Sequence, residues 1–514
     1  MQMPRIALFL AVFLPSAVQV FAGGADPPEV LVILWFDTED YLLPADDDAT
    51  LRLADLLSRR GIRATFKLVG EKARVLEKRG RRDVIEALRK HDIGYHSNWH
   101  SVHPTVAEYL AGTGWADGVA EFIRREGPGA DDTRRILGVE RLSCYGQPGS
   151  SWGPQTFAAL PAMRIGPGEA GCYVDEGSHV KLDGKPFWYC GALTVYGMSP
   201  NYTRMDLHAD GGLEKGRDAF RNIHSRLSAD GGGLISIFYH PCEWVHVEFW
   251  DGVNFRRGAN PPREDWKPPP ARTAAEAEAA HERFEEYIDF QRSLPGVRFV
   301  TAGDLPGLYP DPIRRDGLSQ ETVWGIADEI AASGAAGFLR RGPIALSAAD
   351  QLAALVDLLA GSIETGALPQ RIRAPSLLGP PDAPPETEVE ELEWRSFRDA
   401  LLDVRDALEK RRQVPSTVYA GTKKIAPADF LAACATVALH ARKAAAGGGT
   451  GPALFPARVR VPRGTRLAAE KHIASDTPDL FGGWIIHEEG FRAPRIVEQA
   501  RLQAWTLKPA LRGK

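Results

Sequence analysis

Cysteine is scarce in this chain, and the few that occur form no pattern. The 514 residues hold five: Cys144, Cys172, Cys190, Cys242 and Cys434. There is no CxxC pair, which argues against a thiolate zinc site, and the spacings are too scattered for a disulfide framework. Cys172 and Cys190 are near enough in sequence to bridge in an oxidising compartment, and an odd count leaves at least one thiol free. An excess of one charge is also lacking. Sixty-two Lys and Arg against 67 Asp and Glu give a net charge of −5, so no basic face is expected and no nucleic-acid partner. Unbroken apolar runs long enough for a bilayer are missing too. The N-terminal "MQMPRIALFLAVFLPSAVQVFAGG" sets Arg5 before an apolar stretch interrupted by Pro15. It reads as a signal peptide over residues 1–22, cleaved near Ala22, and it is too short and broken to span comfortably. A secreted or periplasmic chain without a transmembrane segment is the expectation.

What is present is strand–helix alternation. "EVLVILWFD" is a continuous run rich in branched residues and suits a fully buried strand. "TLRLADLLSRRG" has helical spacing and stops at Gly61, and "IRATFKLVG" reads as a second strand. A long amphipathic stretch leads to "DIGYHSNWH", a short strand entering a loop. The alternation resumes through "RLSCYGQPGSSW", "RDAFRNIHSRL", "GGLISIFYHPCEW", "TAAEAEAAHERFEEYIDFQRSL" and "VRFVTAGDL". Such units argue for α/β architecture with parallel strands, and their number suits a barrel. Residues from about Met163 to Arg221 fit the alternation poorly and read as an insertion. After "LYPDP" the character changes to a mainly helical region with a faint internal repeat. "IALSAADQLAALVDLLA" from Ile344 resembles "KIAPADFLAACATVALHA" from Lys424. Extended segments recur at "LPQRIRAP", "VPSTVYAG" and "FPARVRVP". The expected division is a barrel over 23–310, a connecting segment over 311–345 and a repeat-containing region over 346–514.

Thirteen histidines serve the whole chain, yet "GYHSNWHSVHP" takes three of them. In parallel β/α barrels reactive groups stand where strands end. The first strand ends in "FDTED", with Asp37, Glu39 and Asp40. The third ends at His96, His100 and His103, and "LISIFYH" ends at His240. Two imidazoles and a carboxylate with open positions make a catalytic divalent-metal site, most naturally zinc. On an extended strand end Asp37 and Glu39 point to the same side, so one can bind metal with His96 and His100 while its neighbour holds the attacking water. A free carboxylate would take a proton from that water. His240, expected across the mouth, would protonate the leaving amine. Trp99, Trp152, Trp244 and Trp250 are candidate sugar-stacking rings.

"FDTED", "ATFKLVGE", "HSNWH" and "IFYHP" resemble, in order and spacing, the motifs of the polysaccharide deacetylases, the family 4 carbohydrate esterases, over roughly residues 30–308. The resemblance implies a distorted (β/α)7 TIM-like barrel, a divalent metal and hydrolysis of N-acetyl groups on a polysaccharide or peptidoglycan. It matches Asp37 to the base, His240 to the acid, His96 and His100 to the metal histidines and Glu39 to the metal carboxylate, with Asp40 the alternative ligand if the loop turns differently. The chain departs from it in two places. The family's loop arginine falls at Gly146 in "CYGQPGSSW". The aspartate that supports the acidic histidine has no convincing match, and Asp206 is a poor one. Two function classes follow: a secreted metal-dependent deacetylase, or a barrel without catalysis that binds glycan. In either, the repeat region is the candidate for binding cell-wall polysaccharide.

Overall fold

The computed structural model describes residues 27–177 and 179–513. The expected signal peptide lies outside them. Strand β1 (Val30–Thr38) is central, and all nine of its residues are buried. Alternate side chains leave a strand on opposite faces, and both faces of β1 are covered. Leu31, Ile33 and Trp35 point into one cluster with Cys144, Cys172, Val174, Leu193 and Phe238. Val30, Val32, Leu34 and Phe36 point into another, among Leu53, Leu57, Phe66 and Phe284. Burial on both sides is why this strand is an unbroken apolar run.

Helix α1 (Pro44–Arg59) leads to β2 (Thr65–Leu68), and α2 (Gly70–Lys78) with α3 (Arg82–Leu88) leads to β3 (Asp92–Tyr95). After α4 (Trp115–Leu137) come β4 (Gly171–Val174), β5 (Phe187–Tyr189) and β6 (Ala192–Val195). Then follow α5 (Gly212–Ala229), β7 (Gly233–Tyr239), α6 (Ala274–Ser293) and β8 (Val297–Val300). The main ladder runs β3-β2-β1-β7, parallel throughout, with β8 beside the first half of β1. Single bridges at Tyr95–Tyr145 and Tyr145–Tyr173 carry it round to β4, which pairs with β6. Tyr202 bridges Ser236 on β7 from the other side. The strands therefore curl about an interior, and the ring is interrupted between β6 and Tyr202. The architecture is α/β, as expected.

The stretch from Met163 to Arg221 is not an insertion. It supplies β4 and β6, which are separated by the antiparallel β5 and no helix, so the alternation is hidden there. Cys172 and Cys190 are free thiols, as are the other three cysteines, all buried. No described helix is long and apolar enough to cross a membrane.

The segment from 311 to 345 is more than a connection. It contains α7 (Gln320–Ser333) and the hairpin of β9 (Leu339–Arg341) and β10 (Ile344–Leu346), followed by α8 (Ala348–Thr365). A second unit repeats the plan: α9 (Trp394–Arg411), a hairpin of β11 (Val418–Ala420) and β12 (Lys423–Ile425), then α10 (Pro427–Ala446). "VPSTVYAG" thus opens the second hairpin, whereas "LPQRIRAP" and "FPARVRVP" follow the second helix of each unit. The first helix of each unit packs on the second helix of the other, α7 on α10 and α9 on α8. Their shared core is built from Leu352, Leu355, Leu359, Phe397, Leu401, Phe430 and Leu431.

The repeat region ends well before residue 514. Beyond about residue 468 the chain returns to the barrel, where Ala469, Phe481, Ile496, Val497, Ala500 and Leu507 join the barrel's outer core. Lys508 and Pro509 add a short strand to β5. The two regions are also tied by buried charge. Asp350 at the start of α8 meets Arg314 at 2.7 Å and Lys508 at 3.0 Å, and Lys508 meets Asp311 at 2.8 Å.

Candidate metal centre and catalytic mouth

Glu39 follows β1, and His96 and His100 follow β3, so the ends of two strands deliver the three side chains. Ligand atoms from all three lie within 4.8 Å of one another, and all three residues are buried. Glu39 Oε2 is 2.9 Å from His100 Nε2 and 3.3 Å from His96 Nε2. The tautomers follow from the surroundings. His96 Nδ1 lies 3.0 Å from the Gly146 carbonyl and must donate to it, which leaves a lone pair on Nε2. His100 Nδ1 is 2.6 Å from Ser101 Oγ, while its buried Nε2 has no hydrogen-bond partner in spite of Glu39 beside it. Two imidazole nitrogens and a carboxylate oxygen that converge in a buried place fit a cation between them, and two imidazoles with one carboxylate suit zinc. His100 and Ser97 both sit at positive φ, 62° and 70°, a costly conformation for residues with a Cβ. Burial opposes charge on Glu39, but His100, His240 and His96 together hold its pKa well below the ordinary range.

Asp40 is turned elsewhere. Its Oδ1 accepts from the Leu42 amide, and its Oδ2 faces His246 and Asp46 in a separate buried cluster. His103 bonds Glu108 through Nδ1 at 2.8 Å and is a loop fastener. Of the candidate stacking rings, Trp152, Trp244 and Trp250 are core residues. Trp99 is exposed, with the Arg74 guanidinium 4.8 Å from its ring centre.

Asp37 and His240 are neighbours. The expectation that they face each other across the mouth fails because β1 and β7 are paired strands, with Phe36 opposite Tyr239. Asp37 Oδ2 and His240 Nε2 are 3.7 Å apart. The other side of the imidazole is held by Glu243, whose Oε1 is 2.8 Å from Nδ1 and also accepts from the His240 amide at 2.9 Å. Glu243 in turn pairs with Arg204. Burial works against the imidazolium, but Glu243, with Glu39 and Asp37 beyond it, raises its pKa to about 9. Asp206 caps its own loop at the His208 and Ala209 amides. The support for His240 was therefore legible in "HPCEW", three residues downstream, where a carboxylate can close back on its own turn.

The other oxygen of Asp37 meets Lys67, the residue opposite it on β2. Lys67 Nζ is 2.8 Å from Asp37 Oδ1, donates to the Val174 carbonyl at 2.9 Å and reaches Asp175 Oδ2 at 3.3 Å. Burial disfavours its charge, yet Asp37 and Asp175 hold its pKa above the ordinary value. Sequence reasoning also missed Trp484, brought in by the returning C-terminal segment. Its ring meets His100 edge-on at 5.6 Å, and its indole N–H donates to Asp251 at 3.2 Å.

No protein-family model and no curated protein matches the chain. Solved structures do. The neighbours include carbohydrate and peptidoglycan deacetylases. Peptidoglycan deacetylase PdaC from Bacillus subtilis is 16% identical, with 55% of this chain and 93% of that chain covered at a TM-score of 0.26. A family 4 acetyl xylan esterase from Clostridium thermocellum, in complex with a cobalt ion, is also 16% identical, covering 54% and 90% at a TM-score of 0.28. At such scores these likenesses add no weight to the motifs and the geometry.

Proposed function

We propose that this chain is a metal-dependent hydrolase that removes N-acetyl groups from an acetylated glycan outside the cytoplasm. The observation that carries the reading is one mouth where ligand atoms of Glu39, His96 and His100 converge within 4.8 Å of one another, beside the acid–base pair Asp37 and His240. A bound divalent cation, with zinc the natural occupant, would supply a water of lowered pKa and a polarised acyl oxygen. The chain's own residues do the rest. Asp37 takes a proton from water as its oxygen attacks the acetyl carbon. His240 Nε2 gives a proton to the amide nitrogen as the C–N bond breaks, so a free amine and acetate leave. Glu243 fixes which imidazole nitrogen faces that space. Hydrolysis needs no other reactant.

The glycan-binding alternative drew its support from the arginine absent at Gly146. That support weakens because the base does have a cation beside it, Lys67 at 2.8 Å. The deciding experiment pairs metal analysis of the purified protein with acetate release from acetylated xylan, chitin oligosaccharides and peptidoglycan. One equivalent of metal and acetate release from at least one of these is the expected result. A fully metallated protein that is inert on all of them would replace the enzyme by a binding protein.

A further inference from the structure

We propose that Lys67 is the positioning residue of Asp37, acting from β2. The inference rests on the deacetylase reading for its kinetic consequence but on geometry for its substance. Lys67 is wholly enclosed, with 0% of its surface exposed. An ammonium has three N–H donors, and three oxygens surround this one: Asp37 Oδ1, the Val174 carbonyl and Asp175 Oδ2. The face of Trp35 lies 3.9 Å away. Asp37, His96 and Asp175 also form a buried group of metal-ligand type, and the Lys67 ammonium already supplies the positive charge there.

Space for this lysine comes from two glycines. Gly94 is the residue opposite Lys67 on β3, and a Cβ there would stand 2.8 Å from Lys67 Cγ. A Cβ on Gly146 would stand 2.0 Å from Lys67 Nζ. The head of the lysine therefore fills the volume in which a side chain at 146 would begin. The Lys67 head and a side chain at position 146 exclude one another.

The contact bears on catalysis because it divides the carboxylate of Asp37. Lys67 holds Oδ1, and Oδ2 remains facing His240 at 3.7 Å. Without the ammonium, Asp37 and Asp175 would be two buried carboxylates sharing nothing. Oδ1 of Asp37 would also lose its nearest donor, so the carboxylate would no longer be held toward the mouth whether or not Asp175 is charged.

The test uses full-length, metal-loaded protein. Lys67→Met should lower kcat for acetate release by about 30- to 100-fold, the scale of a misplaced catalytic group. KM should stay within about threefold and metal content should be unchanged, since Lys67 touches no ligand atom. Lys67→Met/Asp175→Asn separates positioning from charge balance, and it stands in if the single variant folds poorly. It should regain thermal stability yet keep the low kcat. A return to wild-type kcat would reduce Lys67 to a counter-ion for Asp175 and overturn the proposal. In an Asp37→Asn background, adding Lys67→Met should change kcat by less than about twofold, because the effect runs through Asp37. A full further loss there would overturn it as well. If the wild-type protein releases no acetate, the deacetylase reading fails, and Lys67 is judged on crystal structures of the double variant. An Asp37 side chain rotated out of its wild-type position supports the proposal, and an unmoved one sinks it.

Discussion

The barrel and the repeat region bury polar side chains for different ends. In the repeat region the buried set is Ser347, Asp350, Gln351, Ser362 and Asp429, and each serves the backbone or the junction. Ser347 and Asp350 cap α8, Ser362 bonds back to Leu358, Gln351 reaches the Gly337 carbonyl, and Asp429 accepts from the Thr465 amide. In the barrel mouth Asp37, Glu39, His96, His100, Lys67 and Asp175 are equally buried, yet they mostly face one another. Burying charge costs several kcal/mol unless it is paired. At the mouth that cost is met by charges gathered around one another, with His96 and Lys67 also donating to the Gly146 and Val174 carbonyls. Apart from the junction around Asp350, the buried polar side chains of the repeat region form no comparable cluster, and attachment to wall polysaccharide is the part proposed for it.

The largest expected effect would break the apparent division between the regions. Because the C-terminal segment belongs to the barrel, ending the chain at residue 465 should destroy the barrel. Removing buried Phe481, Ile496, Val497 and Leu507 forfeits about 2–5 kcal/mol each, against a total stability of about 5–15. Soluble expression and thermal melting check this, and a well-folded truncated barrel would contradict the assignment. Excising 319–464 with a flexible bridge should leave a folded barrel with its metal.

Next come the mouth variants. Asp37→Asn and His240→Ala should each lower turnover by about 100-fold or more while metal content and melting hold. His96→Ala/His100→Ala should lose stoichiometric metal on dialysis. As a counterpart in the repeat region, Asp429→Asn should lower the melting temperature by a few degrees, as lost helix-cap bonds do, and leave kcat alone. Equal kinetic effects in both regions would erase the distinction drawn here.

Two smaller effects turn on pH. Arg314 and Lys508 outweigh burial and hold Asp350 at about 2, below its ordinary 3.8. Its junction bonds therefore add stability above the ordinary value, and that contribution disappears as pH falls through about 2. Asp350→Asn should melt earlier than wild type at pH 7, with the gap closing near pH 2. At the mouth, His240 must carry a proton to donate it, so turnover should decline as pH rises through about 9. Glu243→Gln removes the bond that raises His240, and the basic limb should move to lower pH. Limbs that coincide would show that another group gives the proton.

The fold was readable where burial leaves a periodic trace. β1, β2, β3 and β7 stand where apolar runs predict them, and Asp37, Glu39, His96, His100 and His240 arrive together because each terminates or follows such a run. β4 and β6 were missed because no helix separates them, only the antiparallel β5, so the strand–helix alternation lapses there. The returning segment from about 468 was missed because its barrel partners lie hundreds of residues away in sequence, a separation that local patterns do not register. Lys67 was overlooked for a different reason. In "ATFKLVGE" it looks like one polar residue on a half-exposed strand, and only the register with Asp37 and Gly94 reveals that it points inward. The repeat was visible as similar helices, but its unit was misdrawn because each hairpin strand has only three residues.

The two glycines around Lys67 also constrain which substitutions can follow one another. An arginine introduced at 146 meets the lysine head 2.0 Å from its Cβ. If the lysine goes first, Asp37 and Asp175 face each other uncompensated. Either single step is harmful, and only the pair restores a cation beside the base. Positions 67 and 146 should therefore be inherited as a unit. Among descendants of this sequence, a lineage that keeps Asp37 should hold lysine with glycine or exchange both, and intermediates with one change alone should be rare.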